Sequence, residues 1–598
     1  MKRSYNSLFI ALTAGFALPV AAQQQQDSTL TREMTIEKEY NPIVRDADKI
    51  TRMPEVETPT ANKTKIVYAQ PTLDTRVKPE LQTLEVGSVN TSYPFSKKKG
   101  YLTLGGGNYL NLRGDFGYRF LDTDKDILGI ELSHSSSNGK IEFLEESWGK
   151  TKRKVNDNHV KLYYTHGFEN LILHTHVTYE YAGFNYYGGS PLLENNGDSI
   201  RNDQTQQRLA FDFSLNSRQQ TEWDYKMLFG FTSFSQEMPG INENMIRANM
   251  GLSKNSPSNW RFGMDLDAKV LVYGGDSDKY GWITKNSFKN SGLISLQPGF
   301  KYDNGDGISA KLGIHADFAF GKPPYVGVAP DMNLKWKFAS NWLFYSGLTG
   351  GIHQYSLDEM TKQNRYYYMD HQLRNSYTIA DLNLGLRTNS VAGFEFDLYG
   401  GAGYTTDALF EYTHVTGLTA NGRALIQNAV GGFVADAFNW NVGFKMKYKF
   451  SDVVDMHLKL QKNGWNLKDN QQENPIASYK PGFEVAWGAT IRPTKKLLFD
   501  LKYDFLGDRE AVVQEEYLRT PVVDTDLLSS GASAPFLHLR QNVAIKDIHR
   551  LDIKTTYLFN DTFSAYCSLN NLLFRRQEMW YGMPEQGFHF MIGGSVRF

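Results

Sequence analysis

The chain has 598 residues, of which 41% are hydrophobic and 14% aromatic, and a formal net charge of −1. That balance excludes the strongly basic surface of a nucleic-acid binder, and a lone cysteine, Cys567, excludes an intrachain disulfide framework and a cysteine-based zinc cluster. With 34 Tyr and 37 Phe at a mean hydropathy of −0.46, the composition favours a wall with one polar face and aromatic rims over a soluble core of Leu, Ile and Val.

The first element is a targeting segment. Lys2 and Arg3 precede an apolar stretch from Leu8 to Val20, followed by small residues at Ala21 and Ala22 and then four Gln. This pattern predicts a Sec signal peptide over 1–22. Residues 23–98 are polar and carry Pro42, Pro54, Pro59, Pro71, Pro79 and Pro94 without apolar periodicity, which predicts an extended periplasmic segment. No later apolar run reaches the roughly 18 residues of a helical span, so only strands can hold the mature chain in a bilayer.

From residue 99 to 598 the hydropathy period is two. Phe438, Trp440, Val442, Phe444, Met446, Tyr448 and Phe450 share one face; Asn439, Asn441, Lys445, Lys447 and Lys449 share the other. A helix would mix the two sets, whereas a strand separates them. Val454, Met456, Leu458 and Leu460 alternate in the same way with Asp455, His457, Lys459 and Gln461. Turn chemistry at Asp122–Lys125, Asp303–Gly307, Ser340-Asn341, Thr388–Ser390, Ser451-Asp452 and Asn560–Thr562 links such strands in pairs. Long polar stretches lie between the pairs, at 136–157, 182–205, 355–374, 411–433, 463–480 and 507–546. Aromatics crowd beside the short turns, among them Trp260, Trp336, Phe338, Trp342, Tyr448, Phe450, Tyr557 and Phe559. The expectation is an all-β fold: a transmembrane antiparallel β-barrel of about 22 strands, range roughly 20–24, in the outer membrane of a Gram-negative cell.

The carboxyl end alternates through Phe590, Ile592 and Val596 to a terminal Phe598, the form of strand that outer-membrane assembly machinery reads. With Ser568-Leu569-Asn570-Asn571-Leu572-Leu573 and Gly582-Met583-Pro584-Glu585-Gln586-Gly587 before it, this end resembles the close of TonB-dependent receptor barrels, of the type abundant in Bacteroidota. The resemblance covers roughly residues 100–598 and implies an outer-membrane receptor for uptake of a polar solute. Glu33-Met34-Thr35-Ile36-Glu37 resembles the short segment such receptors offer to TonB. One departure stands out: the 76 residues 23–98 lack the apolar, glycine-rich pattern of a plug. The alternative is a non-transporting scaffold barrel in an outer-membrane protein assembly. The expected partners are lipid and the barrel assembly machinery, with TonB or a periplasmic or surface lipoprotein beside them. A lumen of about 22 strands also needs a filler. Segment 23–98, inward-folded loops and a partner all qualify, and the segment is the most economical.

No Gly-x-Ser-x-Gly, His-Glu-x-x-His or phosphate-loop motif is present, so no enzyme activity, cofactor or metal site is expected. By parity, His174, His176, Glu180, Lys445, Lys447, Lys449, His457 and Lys459 face the lumen. In the loops, Tyr186, Tyr187, Tyr366, Tyr367 and Tyr368 are candidates for ligand stacking, with packing between loops as the competing role.

Overall fold

The computed structural model describes residues 98–187, 202–218, 222–238, 240–255, 259–275, 288–368, 372–418, 424–468, 475–518 and 536–598. The expected signal peptide, the segment up to residue 97 and the Glu33–Glu37 motif lie outside the described residues.

Period-two hydropathy becomes strand almost throughout. The strands are β1 (Gly100–Gly107), β2 (Leu112–Asp122), β3 (Asp126–Glu142), β4 (Lys150–Gly167), β5 (Leu171–Asn185), β6 (Asp203–Ser217), β7 (Trp223–Gln236), β8 (Ile241–Asn255) and β9 (Trp260–Gly275). They continue as β10 (Ser291–Asp303), β11 (Ile308–Phe320), β12 (Val326–Ala339), β13 (Trp342–His353), β14 (Ser376–Thr388), β15 (Phe394–Leu418), β16 (Ala424–Phe450), β17 (Val454–Lys468), β18 (Phe483–Thr494) and β19 (Leu497–Gly507). The remainder are β20 (Arg509–Leu518), β21 (Phe536–Ile545), β22 (Ile548–Leu558), β23 (Phe563–Asn570), β24 (Glu578–Trp580), β25 (Met583–Pro584) and β26 (His589–Arg597). Among the described residues one α-helix, α1 (Leu357–Gln363), lies between β13 and β14.

Consecutive strands from β1 to β19 pair antiparallel; β19 then pairs with β22, β22 with β23, β23 with β26, and β26 with β1. That ring is closed and has 22 members: β1 to β19 plus β22, β23 and β26. Closure removes every edge, as a bilayer requires. The connections at one end are the short turns read from the sequence. At 304–307, for example, the Asn304 side chain accepts hydrogen bonds from the backbone of Asp306 (3.0 Å) and Ile308 (2.8 Å), while Gly305 and Gly307 take positive φ. The other end carries the long loops.

Alternation sorts the side chains as expected. Trp440, Val442 and Phe450 stand exposed on the outer face of β16, and Trp260, Phe262 and Met264 on that of β9. At the short-turn end the rings touch along the rim: Trp260 with Tyr302 at 4.8 Å, Trp336 with Phe338 at 5.5 Å and Tyr557 with Phe559 at 5.0 Å. Among the described residues no helix is long and apolar enough to cross a membrane.

Two features depart from the sequence reading. Stretches 136–157 and 411–433, expected as loops, are largely strand, because β3–β4 and β15–β16 run on past the apolar band as polar hairpins. Stretch 507–546 holds a further hairpin, β20–β21, that leaves the wall. Its β20 lies parallel to the far end of β15, from Tyr412 against Val512 to Thr416 against Glu516.

The seam joins the two ends of the barrel. Gly100 and Phe598 exchange backbone hydrogen bonds of 2.8 and 3.0 Å, and the Phe598 ring stacks on Tyr118 at 6.0 Å. Phe590 and Ile592 are exposed on the outer face of β26, and Val596 pairs with Leu102. Deleting Phe598 removes both seam bonds and the stack. The expected result is a lower yield of heat-modifiable barrel on detergent gels with export across the inner membrane unchanged; an undiminished yield would show that closure and recognition rest on other residues.

Candidate functional site

The eight charged and imidazole side chains singled out on β5, β16 and β17 all lie on the face opposite the exposed apolar set. His176 Nε2 is 3.1 Å from Asp212, which also pairs with Arg247. Glu180 meets Arg208 at 3.1 Å and His159 at 3.4 Å, and His174 hydrogen-bonds the Thr165 hydroxyl at 3.0 Å. Lys445 sits 4.4 Å over the Tyr399 ring, Lys447 is 3.7 Å from Glu395 and Lys459 is 3.0 Å from Glu484. His457 stands beside Lys447 in register, and Lys449 beside Asp455. The residues form two groups rather than one. β5 and β16 are eleven places apart in the ring of 22 (16 − 5), so the groups face each other across the lumen. Among the described residues no cluster of three or more His, Cys, Asp or Glu is placed to hold a metal ion.

The most heavily built region is the long-loop mouth. Residues 354–375 leave β13 and return to β14, but between those points they reach other walls. Ser356 caps α1, its Oγ accepting from Glu359 N at 3.2 Å, and Asp358 and Glu359 sit in the first turn where the helix dipole favours them. Glu243 of β8 is fully buried and accepts from the backbone N–H groups of Leu357 (2.7 Å) and Asp358 (3.1 Å), so the wall supplies the remaining cap. Arg208 of β6 holds Asp358 through Nε (2.8 Å) and a second guanidinium nitrogen, with both side chains at or below 10% exposure. Lys269 of β9 donates to the Gln354 carbonyl at 2.8 Å, and His353 meets Glu359 at 3.1 Å. Arg365 makes two 3.0 Å bonds to Asp157 of β4, and Gln206 of β6 donates to the Arg365 carbonyl at 2.9 Å. Tyr366 and Tyr368 exchange backbone hydrogen bonds with Val430 of β16. β4 lies nine places from β13 in the ring (13 − 4), so this one loop spans most of the mouth.

Tyr186, Tyr187, Tyr366, Tyr367 and Tyr368 meet in this region, and all five are buried, none more than 9% exposed. Tyr366 packs edge-on against Phe184 (5.1 Å) and Tyr187 (5.6 Å), and Tyr186 lies 5.8 Å away. Their ring faces are occupied by one another and by Met238, Leu357, Met360 and Ala429. Of the two roles read from the sequence, packing between loops is the one this burial serves, while Tyr187 and Tyr366 also line the cleft described below. These rings glue the loops of β5–β6 and β13–β14 together, because ring area buried between two polar loops is the chief apolar surface available to fasten them.

Two further segments complete the mouth. Residues 571–588, between β23 and β26, carry the small β24–β25 hairpin; Trp580 Nε1 reaches Glu411 of β15 at 3.0 Å, and Glu585 pairs with Arg550 of β22. Arg509 of β20 donates to the carbonyls of Glu578 and Met579. Burial pushes the Glu578 carboxyl up to about 7, although it accepts from Gly582 N at 2.9 Å. Lys322, buried in the β11–β12 loop against the Tyr355 carbonyl, is pushed down to about 8 by desolvation. Between the β13–β14 loop and segment 571–588 a cleft of about 360 Å³ remains, lined by Arg153, Tyr187, Tyr366, Trp580, Met583 and Glu585 among others.

Arg208, Glu243, Asp358 and Asp157 escaped the sequence reading because their partners stand more than a hundred residues away. One signal was available: Ser356-x-x-Glu359 has the spacing of a helix-starting capping box.

No protein-family model matches the chain, and no curated protein matches it. Solved structures do. A variant of the ferric enterobactin receptor PfeA from Pseudomonas aeruginosa, in complex with enterobactin, superposes with a TM-score of 0.59 at 10% identity, over 84% of this chain and 82% of that one. The siderophore receptor PirA from Acinetobacter baumannii gives 0.57 at 12% identity, over 85% and 81%. PirA from Pseudomonas aeruginosa gives 0.55 at 9% identity, over 85% and 81%. At such identities the likeness is one of fold alone.

Proposed function

We propose that this chain is an outer-membrane receptor and transport barrel that takes up a polar solute, of the plugless Bacteroidota type its carboxyl end resembles. The observation that carries the reading is a charged inner wall closed at its long-loop mouth by the chain's own loops. A wall of paired Lys, Asp, Glu and His is wet and suits a polar solute, and a mouth held by a few ion pairs is able to open. The receptor-barrel fold supports the same reading. Coupling to TonB through Glu33–Glu37 belongs to this proposal, as do lipid, the assembly machinery and a periplasmic or surface lipoprotein as partners.

The test is depletion of polar solutes from a complex medium, followed by mass spectrometry in cells with and without the chain. A receptor leaves at least one solute undepleted when the chain is absent, and deleting residues 33–37 reproduces that loss if uptake is TonB-driven. Identical depletion in all three strains would refute transport. The scaffold reading would then gain, since a mouth fastened by buried charge pairs equally suits a barrel that never opens.

A further inference from the structure

We infer that the mouth cleft is a binding site for a small monoanion, a carboxylate on a flat apolar body, with Arg153 as its anchor. The inference rests on the receptor reading and names the ligand class of that same mouth.

The charge balance of the cleft leads there. Arg365 is neutralised by Asp157, Lys362 lies 3.4 Å from Asp358, and Glu585 is taken by Arg550. Arg153 differs. The charge of Glu585 acts on its guanidinium, no carboxylate among the described residues lies at ion-pair distance from it, and its Nε is a buried donor without a partner. Of the cations lining the cleft, Arg153 is the one without an ion pair among the described residues. An unpaired buried donor on an ion costs more than a neutral one, so a ligand oxygen there gains what the free site lacks. The planar guanidinium matches a carboxylate through two parallel N–H bonds, a geometry a lysine does not offer.

The rest of the wall sets the body of the ligand. Tyr187, Tyr366, Trp580, Met579 and Met583 line the cleft together with the polar Thr361, Gln363 and Asn364. The rings and methionines suit a flat apolar body, and the polar side chains suit hydrogen-bonding groups on its rim. At about 360 Å³ the cleft sits at the small end of ligand pockets, which run from about 300 to 1,000 Å³. Arg153 belongs to the β3–β4 hairpin that runs on past the apolar band, whereas Tyr366 and Trp580 come from two loops, so an occupant touches three separate parts of the mouth.

The test is calorimetric titration of the full-length chain in detergent with indole-3-acetate, its neutral amide indole-3-acetamide, and tryptamine. The acetate is expected to bind about tenfold or more tightly than either of the others, the order of a charge-assisted bidentate contact. Arg153→Gln is expected to bring the acetate down to the level of the amide. Arg153→Lys is expected to keep the preference in reduced form, and it stands in if the glutamine variant loses heat-modifiable mobility. Equal affinity for acetate and amide, no binding of the acetate by the folded chain at millimolar concentration, or an unchanged preference in the folded variants overturns the site. Titration requires no transport. Binding with unaltered solute uptake would sink the transport reading and keep the site; uptake without such binding would do the reverse.

Discussion

Asp358→Ala combined with Arg365→Ala turns a closed barrel into a conducting one. The two changes remove the ties of the β13–β14 loop to β6 and β4. The Arg208–Asp358 contact is the stronger tie, because both side chains are nearly buried. Asp358→Ala costs about 1–3 kcal/mol, less than stripping a buried charge of every partner, because Arg208 keeps Glu180 at 3.1 Å. The Arg365–Asp157 pair is about one-third exposed on each side and contributes little energy by itself, but it fixes the far end of the loop. A loss of about 1–3 kcal/mol shifts the closed-to-open ratio roughly fivefold to 150-fold. In planar bilayers the double variant should therefore show conductance that the parent lacks, and cells carrying it should admit large polar antibiotics. Glu222→Ala is the control. Its pair with Lys254, at 3.4 Å, is exposed at the short-turn end and away from the loop. An inserted, heat-modifiable double variant that conducts no more than the parent would mean that the loop is not the closure. Segment 23–98 would then be the next filler to remove.

How much of this was legible depends on which physical constraint each element answers to. A strand between lipid and water must alternate, so β16 and β17 could be read residue by residue, and the 22-member ring followed from counting turns. The run of β15 and β16 beyond the apolar band could not be read. Around Glu411 and Thr413 β15 meets β20 and Trp580 rather than lipid, Thr413 being buried and Glu411 accepting from Trp580, and with no lipid face the period disappears. The β20–β21 hairpin is hidden for the same reason. Buried ties across the mouth are hidden for another: Arg208 and Asp358 are separated by 150 residues, and nothing in either neighbourhood marks them as partners. The loop tyrosines show the limit of composition. Tyr366-Tyr367-Tyr368 reads equally well as a stacking platform and as a fastener, and only burial distinguishes the two.

The same constraint gives the second large effect, Phe444→Arg. Phe444 lies near the middle of the wall-forming part of β16, opposite Leu398 on β15 and Leu460 on β17, and its ring lies 6.1 Å from Phe396. Those neighbours belong to the outer, apolar set, so an arginine there has only lipid and apolar side chains to meet. A cationic side chain at the bilayer midplane of a barrel costs about 2–4 kcal/mol, and a strand cannot relieve this by turning over, because a one-residue slip would expose every lumen side chain to lipid. The expected result is a marked loss of heat-modifiable barrel and accumulation of unassembled chain. Lys445→Arg, one residue along, places the same guanidinium on the inner face, where Tyr399 already receives a cation at 4.4 Å. It should assemble like the parent, with a cation–π contact of about 0.5–1 kcal/mol retained. The contrast between adjacent positions is the measurement. Equal damage at both, or damage at Lys445 alone, would show that the assigned outer and inner faces are reversed or that this part of β16 does not stand in a bilayer.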